Sequence, residues 1–301
     1  MLVDAEFEKI LTSPILDIAA RFWEKERYDA FRVCYRSMRL IDDFVDCRKA
    51  TGVAPTKAEI IESRKLIQDW SEKIANGTDS EANGDLSRTI KQFCVPIWPW
   101  QRLAQAMIYD LDHNGFVSIR SFLRYCEGAA IAPAAVFVHL CGVKKQGSKY
   151  QQPEFDIRRA ARPLALFSYL VHILRDFEKD QLNNLNYFSD ELLAKNNISK
   201  EELKNYAVSQ VTDQKLRALF SDYKKIAEFY QERARRTFKH LLPQLESRYQ
   251  LSLQIIYALY SHIFEKIDPE NGGFSEEKLI LSPAEVQKRI DLTVSTFQPV
   301  K

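Results

Sequence analysis

Apolar residues recur at helical spacing along almost the whole 301-residue chain, and this pattern limits the possible folds more than any other feature. Residues 31–45, 164–173 and 253–267 show it most clearly, with apolar side chains three or four residues apart. Convincing alternation with a period of two, which would indicate strands, is absent. The sequence therefore predicts an all-α protein.

Four short segments rich in turn-forming residues interrupt the helical pattern. They lie at residues 76–84, 95–100, 144–153 and 268–274. None is long or repetitive enough to be an interdomain linker, and we find no internal repeat. We therefore expect one domain over residues 1–301, built from about ten helices that these loops join.

Composition and charge exclude several classes of function. Hydrophobic residues make up 46% and charged residues 28% of the chain, which is typical of a globular protein and not of a disordered or membrane-embedded one. The formal net charge is +2 without long runs of one sign, so no nucleic-acid partner is expected. No G-x-G-x-x-G or P-loop motif occurs, which argues against the common nucleotide sites.

The cysteines and the first ten residues indicate a cytoplasmic protein. The five cysteines are widely spaced without a C-x-x-C pair, so we expect buried thiols in a reducing compartment. Residues 1–10 carry three acids and lack the basic and apolar stretches of a secretory signal. The longest apolar run, residues 128–143, is too short for a membrane-spanning helix, and we expect it to form a core helix.

One face of a predicted helix carries a tyrosine, an arginine and two aspartates. Steps of four, three and four residues separate Tyr35, Arg39, Asp42 and Asp46. Two carboxylates one turn apart destabilise a helix by roughly 0.2–0.5 kcal/mol unless a cation lies between them. The pattern indicates a cation-binding face, and neutralising one carboxylate of such a pair should maintain or raise the stability of the metal-free protein.

A second segment repeats this arrangement. Steps of three, four and four residues separate Tyr169, His172, Asp176 and Asp180, and Arg175 precedes the first aspartate. Either acidic pair alone is more simply explained as a solvated helix face. Together, two such turns in apolar helices fit two walls of one cavity that holds Mg²⁺. This ion binds few carboxylates and keeps positions for phosphate oxygens, so a diphosphate ester is the expected ligand.

With its flanking segments, the sequence resembles the squalene/phytoene synthases, which join two prenyl diphosphates head to head. The two acidic segments resemble the family's aspartate-rich motifs, the second followed by Tyr187. A helix ending at Asp110 and the segment around Tyr125 resemble the stretches between the motifs. Residues 234–243 and 259–267 resemble C-terminal signatures of the family. The resemblance implies a single-domain, isoprenoid-synthase-type helical bundle around a central cavity.

The resemblance also implies a role for each matching residue. The implied metal ligands are Asp42, Asp46, Asp176 and Asp180. The implied catalytic residues are Tyr35, Arg39, Arg175 and Tyr187. Both arginines would also bind substrate, together with Asp110, Tyr125 and Tyr260. The implied reaction is a Mg²⁺-dependent condensation, foremost of farnesyl diphosphate, through a presqualene-type diphosphate. Its product would be of the squalene, hydroxysqualene, dehydrosqualene or phytoene type.

Three departures from the family pattern concern the second motif. His172 stands where the family commonly has Asn, and Lys179 stands where it commonly has an acid. Both changes weaken metal binding, although Lys179 would also neutralise a diphosphate directly as a point charge. Leu185 and Asn186 occupy the stretch where the family usually has an arginine, which removes one diphosphate contact and puts the second half-reaction in question.

The resemblance to this family also leads to expectations about the cofactor and about contact with a membrane. We find no nicotinamide-binding feature, so NADPH is not indicated as a cofactor. No anchor follows Val300, which disfavours a reductive synthase with a membrane tail. The implied product is a lipid, so a peripheral membrane contact is expected only for its release.

Two other interpretations are open at the level of sequence. A head-to-tail prenyl synthase or terpene cyclase also uses a D-D-x-x-D motif, but the second motifs usual in those enzymes do not occur here. A non-catalytic relative acting as a lipid-binding or assembly factor would usually have lost the aspartates. Bound Mg²⁺ together with diphosphate release would distinguish an enzyme from such a factor.

Overall fold

Helices make up nearly all of the regular structure in the computed structural model, which describes residues 14–78 and 84–300. These two stretches contain fifteen α-helices, one short 3-10 helix and one β-hairpin. The all-α prediction is confirmed, and the helices outnumber the expected ten because several have only four to six residues. The acidic N-terminal segment, residues 1–10, lies outside the described residues.

Among the described residues, the first half of the chain contains seven helices and the hairpin. The helices are α1 (Ile15–Ala20), α2 (Lys25–Ala50), α3 (Lys57–Asn76), α4 (Gly84–Gln92), α5 (Trp98–Asp110), α6 (Ile119–Ala129) and α7 (Ile131–Gly142). Strands β1 (Lys144–Gln146) and β2 (Lys149–Gln151) pair antiparallel. They occupy part of a segment predicted to be a plain loop. Gly147 permits the tight turn between the strands because it adopts a positive φ of 63°.

The second half of the chain contains eight helices. They are α8 (Ile157–Arg175), α9 (Phe177–Leu182), α10 (Asp190–Lys195), α11 (Lys200–Ser209), α12 (Gln214–Leu241), α13 (Ser247–Lys266), α14 (Glu276–Leu279) and α15 (Pro283–Thr296). The 3-10 helix, Leu242–Gln244, follows α12. Side-chain caps explain five of these eight starts; Asp156 and Asp213, for example, accept hydrogen bonds from backbone N–H groups in the first turns of α8 and α12.

Helix α8 lies at the centre of the bundle, where it packs against α7, α12 and α13. Ten of its nineteen residues are buried. Ten of the twelve residues of α7 are buried as well, which confirms that the longest apolar run forms a core helix. No single helix among the described residues is long and apolar enough to span a membrane. Helices α6 and α7 meet that standard only as a pair, bent by 44° at the break between them.

Helices α5 and α6 approach each other unusually closely at Gly128. A Cβ atom at this position would lie 2.1 Å from the carbonyl oxygen of Arg102 on α5 and 2.7 Å from the Cβ of Ala106. Only glycine permits this backbone-to-backbone approach. The contact fixes the position of Tyr125, one turn earlier on α6, relative to α5.

Three of the five free cysteines are buried as predicted, namely Cys34, Cys126 and Cys141. The prediction is wrong for the other two. Cys47 is exposed because it lies next to Asp46 on the lining of a large cavity, and Cys94 is half-buried in the turn after α4.

Candidate active site

A cavity of about 1000 Å³ lies between α2, α7, α8 and α13. Both acidic segments predicted from the sequence line this one cavity. We refer to Tyr35, Arg39, Asp42 and Asp46 as the α2 wall. The α8 wall consists of His172, Arg175, Asp176, Lys179 and Asp180. Tyr187, in the loop before α10, and Tyr260, on α13, also line the cavity.

The two walls face each other at one end of the cavity. The charge of Asp46 raises the pKa of Asp180, and the charge of His172 acts on Asp42 in the opposite sense. The C-terminal parts of α2 and α8 therefore meet here. Towards the N-terminal part of α8 the lining becomes apolar, with side chains such as Ala161 and Leu164. The cavity therefore has a charged end that suits a polar head group and an apolar part that suits a hydrocarbon tail.

The positive charge near the carboxylates of the α2 wall is not enough to neutralise them. Arg39 donates a hydrogen bond of 2.5 Å to Asp42 and also pairs with Asp43. Burial and the neighbouring Asp46 nevertheless raise the pKa of Asp42 to about 6. Burial and the charge of Asp110 raise the pKa of Asp46 to about 6 as well. A bound cation would relieve both of these penalties.

Asp176, on the α8 wall, has the opposite environment. Arg175 donates to both of its carboxylate oxygens, at 2.5 and 2.8 Å, and Nε2 of His172 lies 3.0 Å from Oδ2. Burial opposes ionisation, yet the hydrogen bond from Arg175 and the charge of His172 hold the pKa of Asp176 far below its usual range. Because the charge of Asp176 is compensated, we now expect neutralisation of this residue, unlike that of Asp42, to lower the stability of the protein.

A break between α8 and α9 explains why the consecutive residues Arg175 and Asp176 form an ion pair. The sequence predicts one continuous helix over residues 169–180, but α8 ends at Arg175 and α9 begins at Phe177. Asp176 lies between them with φ −91° and ψ 10°, outside helical geometry. Neighbouring side chains on a regular helix point in different directions, whereas this break lets Arg175 fold back onto Asp176.

Asp180 is buried and incompletely bonded. Its Oδ2 atom has no hydrogen-bond partner among the described residues. Burial and the charge of Asp176 raise the pKa of Asp180 to about 8, which the nearby Lys179 opposes. A buried oxygen without a partner is costly and needs a ligand that the protein itself does not supply.

The donor set fits Mg²⁺ only in part. In the described parts of the chain, no three His, Cys, Asp or Glu side chains come together as a metal site. Mg²⁺ requires no such cage, since it binds one or two carboxylates and completes its coordination with phosphate oxygens and water. Asp42, Asp46 and the unpartnered oxygen of Asp180 suit this mode. Asp176 suits it less well, because Arg175 donates to both of its oxygens and His172 contacts one of them.

Asp110 and Tyr125, predicted to bind substrate, lie directly behind the α2 wall and not on the cavity lining. Tyr125 donates a hydrogen bond of 2.5 Å to Oδ2 of Asp110, which is only 5% exposed. Lys49 approaches Oδ1 of Asp110 at 3.5 Å. Lys49 was not among the residues predicted from the sequence, although it continues the stripe of the α2 wall three residues after Asp46.

The apolar end of the cavity closes on aromatic rings. Phe137 lines the cavity, and its ring centroid lies 4.7 Å from Trp23 and 5.4 Å from Phe31. The indole of Trp23 is fixed by a hydrogen bond of 2.8 Å to Ser252. No local pattern could have revealed the position of Trp23, because its contacts with Phe137 and Ser252 join residues that are more than a hundred positions apart.

The family model described as squalene/phytoene synthase matches residues 17–285, which is most of the chain. The chain belongs to this family. Squalene/phytoene synthases are prenyltransferases that join their substrates head to head. The membership confirms the resemblance drawn from the two aspartate-rich motifs.

Individual relatives of this squalene/phytoene synthase family member are distant. A chloroplastic phytoene synthase of an Oncidium hybrid cultivar is 25% identical over 207 residues, 69% of this chain and 48% of that protein. The chain spans about half the length of the curated relatives that it matches first.

Solved structures of the family share the fold. A dehydrosqualene synthase crystallised with a ligand superposes with a TM-score of 0.73 at 17% identity, covering 96% of this chain and 97% of that one. A squalene synthase of Alicyclobacillus acidocaldarius gives a TM-score of 0.58 at 14% identity, covering 83% and 97%. The isoprenoid-synthase-type bundle predicted from the sequence is thereby confirmed.

Proposed function

We propose that this protein condenses two farnesyl-type diphosphates head to head through a presqualene-type diphosphate, with Mg²⁺ as cofactor. The observation that carries the proposal is the single cavity in which two acidic walls face each other and the remaining lining is apolar. This division matches a substrate with a charged diphosphate and a hydrocarbon tail. Membership of the squalene/phytoene synthase family supports the same class of reaction.

The polar end binds the diphosphates. Arg39 and Arg175 donate to phosphate oxygens, to which a planar guanidinium is well suited. Asp42 and Asp46, with Asp180 as a third and weaker ligand, would hold Mg²⁺, and the ion would supply neutralisation of the charge that develops on the departing diphosphate. Burial raises the pKa of Tyr35 to about 12 and that of Tyr187 well above its usual value, so both phenols stay protonated and donate hydrogen bonds.

The first reaction step needs no protein nucleophile. The C1–O bond of one substrate breaks, its electron pair leaves with the diphosphate, and an allylic cation remains. The double bond nearest the diphosphate of the second substrate attacks this cation, and loss of one proton to the released diphosphate closes a cyclopropane ring. The apolar lining excludes water, which would otherwise capture the cation.

The closed end of the cavity supports a farnesyl-sized substrate. Asp42 and Phe31 lie eleven residues apart on α2. At a rise of 1.5 Å per residue they are separated by about 16 Å along the helix. An extended chain of three isoprene units has a similar length. We therefore favour a product built from two such chains over the longer phytoene type.

We also propose a cytoplasmic location with peripheral membrane contact for product release.

Incubation with prenyl diphosphates tests this function. The protein is mixed with farnesyl or geranylgeranyl diphosphate and Mg²⁺, with and without NADPH, and the lipid extract is analysed by mass spectrometry. We expect a presqualene-type diphosphate or a product derived from it with farnesyl diphosphate, and none when EDTA replaces Mg²⁺. A head-to-tail product, a cyclised monomer or no diphosphate release would overturn the proposal.

A further inference from the structure

The two walls of the cavity differ in the sign of the charge that is left without an oppositely charged partner. On the α2 wall, the one arginine is shared between Asp42 and Asp43, and Asp46 takes no part in the ion pairs of the described residues. On the α8 wall, Asp176 takes hydrogen bonds from Arg175 and lies in contact with His172. Excess negative charge therefore belongs to the α2 wall.

Lys179 adds an uncompensated positive charge to the α8 wall. It is exposed, it lines the cavity, and it takes no part in the ion pairs of the described residues on this wall, which join Asp176 to Arg175 and His172. Its ammonium lies close enough to Asp180 to lower the pKa of that carboxyl group. Asp180 is thus the acid of this wall with most capacity left for a metal ion, and it lies beside the ammonium group of Lys179. A single carboxylate next to an ammonium group is a poor site for Mg²⁺.

We propose that Lys179 binds one diphosphate directly and takes over, at the α8 wall, the charge neutralisation that a metal ion would otherwise provide. The inference rests on the proposed function, because it identifies the ligand of the α8 wall as the diphosphate of a prenyl substrate. Three nitrogen-bearing side chains, those of His172, Arg175 and Lys179, line this wall. An ammonium suits the task because it acts as a compact point charge with three donors on a flexible stem. Metal binding is then concentrated at Asp42 and Asp46.

Inorganic diphosphate is the probe for the main test, since it carries no prenyl chain and its binding is measured without turnover. Isothermal titration in EDTA compares the wild type with Lys179→Gln and with Lys179→Arg, which keeps the charge. Lys239→Gln is the matched control, because it removes one lysine from an exposed helical position outside the cavity. We expect metal-free binding to the wild type and about tenfold or greater weakening in Lys179→Gln, the size of a charge-assisted contact. Lys179→Arg should retain most of the affinity, and the control should match the wild type.

A second measurement addresses the metal. Electron paramagnetic resonance counts bound Mn²⁺ at saturating diphosphate in the wild type and in the double variant His172→Asn with Lys179→Glu. We expect the double variant to bind more Mn²⁺ per chain, or to bind it more tightly, because the α8 wall regains an oxygen-rich site. Equal Mn²⁺ binding in both proteins, or equal diphosphate affinity in EDTA for the wild type and Lys179→Gln, would overturn the inference while the proposed function stands. Absence of diphosphate binding with and without metal would overturn both.

Discussion

Tyr125 and Asp110 form a hydrogen bond of 2.5 Å between two buried side chains on neighbouring helices, directly behind the α2 wall. The bond joins α6 to the last residue of α5. Because the charge of Asp110 raises the pKa of Asp46, the position of Asp110 influences the electrostatics of the cavity. This hydrogen bond therefore joins two helices, and it also holds in place a charge that affects the pKa of Asp46 on the α2 wall.

Replacing Tyr125 by Phe should destabilise the protein. The change removes a donor from a buried carboxylate, so we expect the free energy of unfolding to fall by about 1.5–3 kcal/mol at neutral pH. Urea unfolding followed by circular dichroism measures this loss. Tyr206→Phe is the control, because its hydroxyl donates to Asp213 at 2.6 Å in a partly exposed position. An equal loss in both variants would contradict the importance of burial at Asp110.

Asp42→Asn should separate activity from stability. We expect turnover to fall by about 10² or more, because the variant loses a carboxylate that helps to stabilise developing charge. The melting temperature of the metal-free protein should stay constant or rise, since burial already raises the pKa of Asp42 to about 6. Asp29→Asn, an exposed position earlier on α2, is the control for both measurements. Unchanged turnover in Asp42→Asn would exclude a catalytic role for the residue.

The two aspartates of the α8 wall should respond to the same substitution in opposite ways. Asp176→Asn leaves the largely buried guanidinium of Arg175 without its carboxylate, which costs roughly 3 kcal/mol or more. Asp180→Asn removes a buried carboxyl group that must take up a proton on folding at neutral pH and that has an unpartnered oxygen, so stability should be maintained or increase. Differential scanning fluorimetry in metal-free buffer at neutral pH compares the two. Equal melting temperatures would contradict the assigned ion pair.

The stability gained by Asp180→Asn should depend on pH. Burial and Asp176 raise the pKa of Asp180 from 3.8 to about 8, so the folded state binds a proton over a range in which the unfolded state has lost it. The stability of the wild type must then fall as pH rises through this range. The difference in free energy of unfolding between variant and wild type should grow from pH 5 to about 8 and then level off. A constant difference across this range would show that Asp180 does not titrate as described.

Phe137→Ala should change the preferred substrate length. Its ring closes the apolar end of the cavity, and truncation opens space towards Trp23. We expect the ratio of turnover with geranylgeranyl to that with farnesyl diphosphate to rise by about tenfold, the usual scale for pocket selection among apolar chains. Phe93→Ala, which empties a buried site next to Tyr150 outside the cavity, is the control. The same ratio in all three proteins would exclude Phe137 as a determinant of length.

The sequence could predict those parts of the site that depend on local geometry. The four-residue spacing of Asp42 and Asp46 places both on one face of a helix whatever surrounds it, and the same face extends back to Arg39 and Tyr35. Apolar periodicity predicted the helical fold for the same reason. These features follow from the 3.6-residue period alone and need no knowledge of partners in space.

The rest depends on contacts and chain breaks that carry no local signal. The break between α8 and α9 pairs Asp176, a predicted metal ligand, with Arg175, and no glycine or proline marks this break in the sequence. The apolar end of the cavity depends on contacts of Trp23 with Phe137 and Ser252, which are more than a hundred residues away. The sequence contains these residues, but only the folded chain brings them together.

The absence of a side chain at Gly128 has a consequence for tolerance to mutation. Substitution by alanine would push α5 and α6 apart and draw Tyr125, three residues earlier, away from Asp110. A screen for inactive alleles should therefore recover this position together with the aspartates, although it carries no functional group. Such alleles would yield poorly accumulating protein, whereas alleles at Asp42 would yield normal amounts of an inactive one. Protein abundance, measured beside activity, would separate the two kinds of loss.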